Sequence, residues 1–178
     1  MKEPNKPSTS RVFVIHGRDE EARRALFDFL RAIDLKPIEW SVAVTLTGKP
    51  APFVGEILDA AMGHAQAIVV LFTGDDQARL RDEFLSGNDP DYERKTTPQS
   101  RPNVIFEAGL ALGKYPDRTI LAQVGTLRPF SDIAGRHFIR LRNSSKSRQE
   151  LAQRLKLAGC EVDLSGTDWL EAGLFPAK

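Results

Sequence analysis

The sequence predicts an α/β protein built around a doubly wound parallel sheet. Short apolar runs that suit buried strands alternate with amphipathic stretches that suit helices, and most connections between them are short. The clearest run, residues 67–72, is continuous and rich in β-branched side chains, which is typical of a central parallel strand. We therefore expect the order β-α-β-α-β, a long connection, and then α-β-β-α.

Each expected element depends on a local pattern. Asp19 is a good N-cap for a first helix, whose apolar residues recur with a helical period as far as Ile33. Pro52 is suited to begin a second helix after a loop at 41–51. The five strands are expected at residues 11–15, 36–40, 67–72, 118–124 and 136–141. The last two main helices are expected at residues 103–113 and 147–158.

The polar connection at residues 73–102 is too long for a plain loop in a compact domain. We expect it to carry function or an extra short helix over 77–85. For domain organisation, we expect a disordered leader at 1–10, one folded domain at 11–160 and a tail at 161–178. The tail either packs back on the domain or leads into a partner domain.

Composition excludes several classes of protein. The 178 residues contain 25 lysines and arginines against 24 acidic residues, a net charge of +1 that argues against electrostatic gripping of nucleic acid. The single cysteine, Cys160, excludes an intramolecular disulfide, and the three histidines are far apart, so we expect no metal site. No apolar run is long enough to span a membrane, and the N-terminus does not resemble a secretory signal. We expect a cytoplasmic protein.

The predicted topology places a ligand site between the first and third strands. In a flavodoxin-like sheet the strand order reverses there, and ligands bind beyond the carboxyl ends of those strands. Gly17 allows close backbone approach and Arg18 could contact a phosphate, although a turn glycine and a solvated arginine explain them as well. Asp75 and Asp76 could bind ribose hydroxyls or cap a following helix.

Glu107 is the strongest candidate for a catalytic residue. It is the only charged side chain between Asn103, the expected N-cap, and Gly113, so we expect a helix buried almost all round with a carboxylate inside it. A buried carboxylate is costly unless it is paired or functional. The structural alternative is an ion pair with Arg101 or Arg18, or stabilisation by the helix N-terminus.

A single carboxylate is compatible with one particular cleavage chemistry. Most glycosidases need two carboxylates because the leaving sugar oxygen must be protonated. The nicotinamide of NAD+ leaves as a neutral molecule, so one carboxylate that stabilises the developing oxocarbenium ion is sufficient. This argument makes the chemistry possible without selecting it.

Four sequence blocks together resemble one known family. They are VFVIHGRD at 12–19, VVLFTGDD at 69–76, RPNVIFEAG at 101–109 and PFSDIAG at 129–135. In this combination and order, the chain resembles the TIR-like family of bacterial antiphage defence, which is often described as predicted nucleotide-binding proteins. The departures, FTGD where TPD is more usual and PFSD where PSD is more usual, fall in expected loops.

The resemblance implies a flavodoxin-like TIR fold with a five-stranded parallel sheet. It also implies hydrolysis of NAD+, as substrate rather than cofactor, to nicotinamide and ADP-ribose or a cyclic form, with Glu107 at the position of the catalytic glutamate. Activation by self-association into oligomers or filaments, and fusion to a cyclic-nucleotide sensor, are common in such proteins. Two alternatives stay open: a nucleoside deoxyribosyltransferase-like enzyme and a non-enzymatic TIR scaffold.

The remaining candidates have supporting roles. Arg101 and Asn103 flank Glu107 closely enough to orient it, and Ser131 and Asp132 are expected in a loop that closes the pocket. Trp40, at the expected end of the second strand, could stack on a base or nicotinamide ring, although a structural role is common for a half-buried tryptophan. The chain has neither a GxGxxG motif nor a P-loop, so NAD+ would be held in another way, with help from a neighbouring subunit.

Overall fold

A five-stranded parallel sheet forms the centre of the structure, a computed structural model that describes residues 7–177. Its strand order is β2-β1-β3-β6-β7, and every neighbouring pair runs parallel. The order reverses between β1 and β3, so the predicted flavodoxin-like topology is confirmed. The strands of this sheet are β1 (Ser8–His16), β2 (Lys36–Pro37), β3 (Ala65–Phe72), β6 (Thr119–Gln123) and β7 (Phe138–Arg140).

Helices cover both faces of the sheet. Alternation along β1 directs Val12 and Val14 into one apolar cluster and Phe13 and Ile15 into the other. The first cluster contains side chains of α1 and α6, and the second contains side chains of α3 and α5. The helices are α1 (Glu20–Ala32), α2 (Trp40–Leu46), α3 (Val54–His64), α4 (Asp91–Arg94), α5 (Pro102–Lys114) and α6 (Ser145–Leu157).

Local sequence accounts for the ends of several helices. The Asp19 side chain accepts a hydrogen bond from the Ala22 N–H at 3.1 Å, which confirms the predicted cap of α1. Ser144 caps α6 in the same way, accepting from the Ser147 N–H at 3.3 Å. At α5, Pro102 occupies the first helical position and Arg101 is the N-cap residue. The prediction of Asn103 as N-cap is therefore wrong.

The segment after β2 differs from the prediction. The second strand contains only two residues, and Trp40 begins α2 instead of ending a strand. Residues 41–51, expected as a loop, thus contain most of a helix. The following helix, α3, begins at Val54, where the Glu56 carboxylate accepts the Phe53 N–H at 3.0 Å. The first strand also begins earlier than expected, at Ser8, while residues 1–6 of the expected leader lie outside the described residues.

The long polar connection does not form the expected helix at 77–85. Its residues 76–99 instead form a short separate unit, which we call the polar excursion. Strands β4 (Asp76–Ala78) and β5 (Thr97–Gln99) pair antiparallel at its base. Between them lie a 3-10 turn at Asp82–Phe84 and the short helix α4. The half-buried Glu93 of α4 forms an ion pair with Arg128, which attaches the excursion to the loop after β6.

The C-terminal segment packs against the first apolar cluster. Trp169 and Phe175 are 9% and 3% exposed, and both belong to the cluster beneath α1 and α6. Arg148 of α6 is 2% exposed and holds this segment by donating from Nε to the Ala172 carbonyl (2.7 Å) and from Nη2 to the Gly173 carbonyl (2.6 Å). Residues up to 177 thus contribute to the same packed body.

The described part of the chain contains no membrane-spanning helix, and its cysteine lies in the interior. Over residues 7–177, no helix has the length and apolar character needed to cross a membrane. Cys160 is buried, and burial raises the pKa of its thiol to about 11, so the thiol is mostly protonated at neutral pH.

Candidate active site

The loops after β1 and β3 are joined directly at the point where the strand order reverses. The backbone N–H of Arg18 donates to Oδ2 of Asp75 at 2.5 Å. A Cβ atom on Gly17 would lie 1.8 Å from the same oxygen, so only glycine leaves room for this contact. No helix follows Asp75 and Asp76, so the interpretation of either residue as a helix cap is wrong.

A cleft of about 500 Å³ opens above this contact. We call it the switch-point cleft. The loops after β1, β3 and β6 form its walls, together with Pro98 of β5. Its lining contains three acidic residues, Asp19, Glu20 and Asp75, and one arginine, Arg18, which gives the cleft an acidic character. Carboxylates of this kind suit the hydroxyl groups of a sugar better than they suit phosphates.

A second cleft, of about 390 Å³, contains the candidate glutamate and is called the Glu107 cleft. It lies between α1, the start of α2 and α5, against β1. Glu20 lines both clefts, so the two adjoin. The Glu107 cleft is lined by Phe13, Val14, Ile15, His16, Glu20, Arg23, Phe27, Ile38, Glu39, Trp40, Leu58 and Glu107.

Glu107 is half-buried and carries a perturbed carboxyl group. Loss of solvent raises its pKa, and within residues 7–177 the carboxylate has neither a hydrogen-bond donor nor an ion-pair partner. The proposed structural ion pair with Arg101 or Arg18 is therefore wrong. An unpaired, partly desolvated carboxylate that faces a cleft is a typical candidate for a catalytic group.

The helix that carries Glu107 is not buried all round, contrary to the sequence prediction. Val104, Ala108 and Ala111 form its buried face, whereas Phe106 is 66% exposed. The sequence did not reveal the exposed face of this helix, because the side chains on it are apolar and apolar side chains can also lie at the surface. Glu107 lies between the two faces, at the border of the cleft.

Trp40 provides an aromatic side chain in the lining of the same cleft. It begins α2, it is 50% exposed, and it lines the Glu107 cleft. Arg23 lies in the same cleft, where it pairs with Glu20 at 2.8 Å and with Glu39 at 3.7 Å and covers the Phe27 ring at 4.8 Å. The cleft thus combines one unpaired carboxylate, one accessible indole ring and an arginine whose charge is balanced by two glutamates.

The five other predicted site residues line neither of these clefts. Asp76 and Arg101 form an ion pair with each other at 3.7 Å. Asn103 is exposed on the first turn of α5 and makes no cap. Ser131 and Asp132 are exposed in a 3-10 turn, Ser131–Ile133, and they line neither cleft.

The histidines show no sign of a metal site. His16 packs edge-on against Phe27 with ring centroids 6.3 Å apart, whereas His137 is exposed and contacts Glu150 at 2.6 Å. In the part of the chain that the structure describes, no group of three or more histidine, cysteine, aspartate and glutamate side chains is arranged to hold a metal ion.

Sequence reasoning missed the cleft residues of α1 and of the loop after β6. Glu20 and Arg23 follow the N-cap of α1, where acidic residues near the first turn are common for reasons of helix stability alone. Gly125 and Thr126 follow β6, which ends beside β3 at the same edge of the sheet. The carboxyl-end rule applied to β6 as well as to β1 and β3 would have indicated them.

The fold and these clefts define a flavodoxin-like domain with an unpaired carboxylate near its switch point. Residues 11–143 match the family described as CAP12/Pycsar effector protein, TIR domain, and the chain belongs to this family of antiphage effector domains. The predicted resemblance is thereby confirmed. The chain is also 26% identical over 161 residues to the uncharacterized protein YuaY of Escherichia coli (strain K12). The match includes 89% of this chain and 48% of YuaY, so the chain spans about half the length of that relative.

Proposed function

We propose that this domain is an NAD+ glycohydrolase that uses Glu107 to cleave the bond between nicotinamide and ribose. The main support is the unpaired, partly desolvated Glu107 carboxylate, which faces the same cleft as the exposed ring of Trp40. An aromatic wall suits a flat heterocycle, and a carboxylate suits a developing positive charge. Membership of a family of TIR effector domains favours the same activity.

The proposed reaction needs one carboxylate. The glycosidic C–N bond breaks, and its electron pair moves to the ring nitrogen, so nicotinamide leaves as a neutral molecule. The ionised Glu107 stabilises the ribosyl oxocarbenium ion electrostatically or adds to it. Water then supplies a hydroxyl group and releases a proton to give ADP-ribose, or a hydroxyl group of the adenylyl part attacks to give a cyclic product.

The position of the switch-point cleft suggests where the rest of the substrate binds. It adjoins the Glu107 cleft at Glu20, and its acidic side chains suit ribose hydroxyls. Arg18 provides a cation in the same cleft, available to a phosphate. We propose Gly17, Arg18 and Asp75 as substrate-binding residues, with the Asp76–Arg101 ion pair positioning the loop beside them. Asn103, Ser131 and Asp132 remain candidates for contacts made in an assembled form.

An exposed apolar surface supports activation by self-association. Phe53 and Val54 are 81% and 60% exposed at the start of α3, and Trp40 and Val42 of α2 are 50% and 41% exposed. Large exposed apolar side chains grouped on neighbouring elements mark interaction surfaces. We propose a homo-oligomer, with a cyclic nucleotide as the upstream signal in keeping with the family.

Consumption of NAD+ by concentrated protein tests the proposal. The wild type and Glu107→Gln are compared after both are shown to be folded, with nicotinamide and ADP-ribose identified as products. We expect turnover in the wild type and at least about a hundredfold loss in the variant. Equal activity in both would rule out Glu107. Cleavage of deoxynucleosides but not NAD+ would instead indicate a deoxyribosyltransferase.

A further inference from the structure

A third cleft, of about 250 Å³, lies at the carboxyl ends of β6 and β7. We call it the edge cleft. One wall is the end of β7, another is the loop after β6, and the third is residues 175–177 of the C-terminal segment. It shares Gly125 and Thr126 with the switch-point cleft, so the two adjoin, but none of the aspartates and glutamates among residues 7–177 lines it.

Two arginines give the edge cleft an uncompensated positive charge. Arg140 and Arg142 flank Leu141, which is 2% exposed, and both arginines are themselves exposed on the opposite side of the chain. Neither guanidinium has a carboxylate or carbonyl partner among residues 7–177. By contrast, Arg23 and Arg128 are paired with carboxylates.

The loop after β6 adds backbone donors to the same cleft. The N–H groups of Gly125 and Thr126 have no acceptor within the described residues. Gly125 has a φ of +80°, a left-handed conformation that turns the chain sharply at this point. Free N–H groups at a turn of this kind contribute to anion-binding concavities.

The third wall is held in place by a buried contact. Phe175 is 3% exposed and lies beneath the Arg148 guanidinium, whose central carbon is 5.6 Å from the ring centroid. The hydrogen bonds from Arg148 to the Ala172 and Gly173 carbonyls fix the chain immediately before it. These contacts within the chain hold the third wall in place, and a wall held in this way lowers the entropic cost of binding.

We propose that the edge cleft binds the phosphate of a nucleotide, with Arg140 and Arg142 as the charged donors. A basic cleft beside an acidic one fits a molecule whose phosphate lies next to a sugar. Charged side chains on an edge strand also prevent strand addition, but that role requires neither a cleft nor free backbone donors. Arg136, another exposed arginine without a partner in residues 7–177, lies just before β7 and outside the edge cleft, so it serves as a matched control.

Titration with inorganic pyrophosphate tests the site directly, read as amide shifts of the ¹⁵N-labelled chain. We expect saturable shifts at residues 125, 126 and 140–143 in the wild type. The double variant R140Q/R142Q should bind at least about tenfold more weakly, because it loses two charge-assisted donors. Arg136→Gln should bind like the wild type. Absence of saturable shifts, or equal weakening by Arg136→Gln, would overturn the proposal.

A second arm identifies the source of the phosphate. The assignment of the edge cleft to the diphosphate of NAD+ rests on the proposed glycohydrolase function. The binding of pyrophosphate to this cleft does not depend on that function. If the double variant raises KM for NAD+ at least about tenfold with kcat maintained, the cleft holds the diphosphate of the substrate. If pyrophosphate binding weakens but KM is unchanged, the cleft serves a separate phosphorylated ligand. If the wild-type protein does not turn over NAD+, the proposed function is contradicted, but the pyrophosphate titration still tests the edge cleft.

Discussion

Arg18 and Asp75, 57 residues apart in the chain, are joined by a backbone-to-carboxylate hydrogen bond of 2.5 Å that connects the ends of β1 and β3. This bond lies at the switch point of the sheet and forms part of the wall of the switch-point cleft. It therefore determines how the two loops that form the proposed substrate site are positioned relative to each other.

Asp75→Ala should disturb this arrangement more than Asp76→Ala. The first variant loses a charge-assisted bond to a backbone donor, and we expect it to lower the free energy of unfolding by about 1 kcal/mol and to raise KM for NAD+. The second loses only a partly exposed ion pair with Arg101, which contributes little to the free energy of unfolding, so we expect a smaller rise in KM. Urea unfolding and steady-state kinetics measure both effects. Equal effects of the two variants would show that the Arg18 contact is unimportant.

The pH dependence of the enzyme should reflect the environment of Glu107. Burial raises the pKa of this carboxyl, and the proposed mechanism needs its ionised form. Activity should therefore fall as pH decreases, with the acid limb above the ordinary glutamate pKa of about 4.3. The measurement is kcat/KM against pH, which reports the ionisation of the free enzyme. An acid limb at or below the ordinary value would contradict the assignment.

Stability provides an independent check on the same residue. Because the folded-state pKa of Glu107 is raised, its stability contribution is fully present below the unfolded-state pKa and is lost as pH rises through the folded-state pKa. Glu107→Gln should therefore raise Tm near pH 7, and the gain should disappear under acidic conditions. A lower Tm at neutral pH would indicate an unrecognised stabilising partner.

Trp40 should contribute to substrate binding through its ring. Trp40→Ala removes the aromatic wall of the Glu107 cleft, and base–aromatic stacking of about 1–3 kcal/mol predicts roughly a tenfold increase in KM for NAD+. Trp40→Phe retains a flat ring and should restore most of the affinity. Ser41→Ala, at an exposed position of the same helix outside the Glu107 cleft, is the control for changes in α2. A KM that is the same for the alanine and wild-type proteins would exclude stacking.

Phe53 should link enzyme activity to assembly. Its side chain is 81% exposed, so Phe53→Ala should leave Tm nearly unchanged while it weakens self-association and reduces activity at high protein concentration. Light scattering coupled to size exclusion measures the assembly. Phe84→Ala, at a 62% exposed phenylalanine in the polar excursion, is the matched control. Loss of assembly in the control alone would place the interface elsewhere.

Much of the fold could be predicted because the sheet strands carry their own signals. The runs in β1 and β3 are apolar on both faces, as central parallel strands must be, and they define the topology on which the switch-point argument depends. The helix α2 could not be predicted in this way. Its sequence, WSVAVTL, contains three β-branched residues that favour strands, so its helical form depends on packing against α3.

The parts of the candidate site that lie at strand ends could be predicted from the topology of the sheet. The parts that are brought together by helix packing could not. Gly17, Arg18 and Asp75 meet because the ends of β1 and β3 meet. Trp40 and Glu107 line one cleft because α2 and α5 approach the same part of β1, which no local pattern in either segment indicates. The excursion at 76–99 is held by an antiparallel strand pair and by the Arg128–Glu93 ion pair, and such distant contacts leave no short-range signal.

Arg148 should be essential for the attachment of the C-terminal segment. Its guanidinium donates to the Ala172, Gly173 and Glu171 carbonyls and to Asn143 Oδ1 while it is almost fully buried. Arg148→Leu leaves these buried acceptors unsatisfied, so we expect a loss of about 3 kcal/mol and release of the segment that contains Trp169 and Phe175. Arg154→Leu, on the same helix without such partners, should cost much less. Urea unfolding measures the stability, and an increase in tryptophan exposure in Arg148→Leu alone would report the release. Unchanged exposure together with equal stability losses in the two variants would show that apolar packing holds the segment without Arg148.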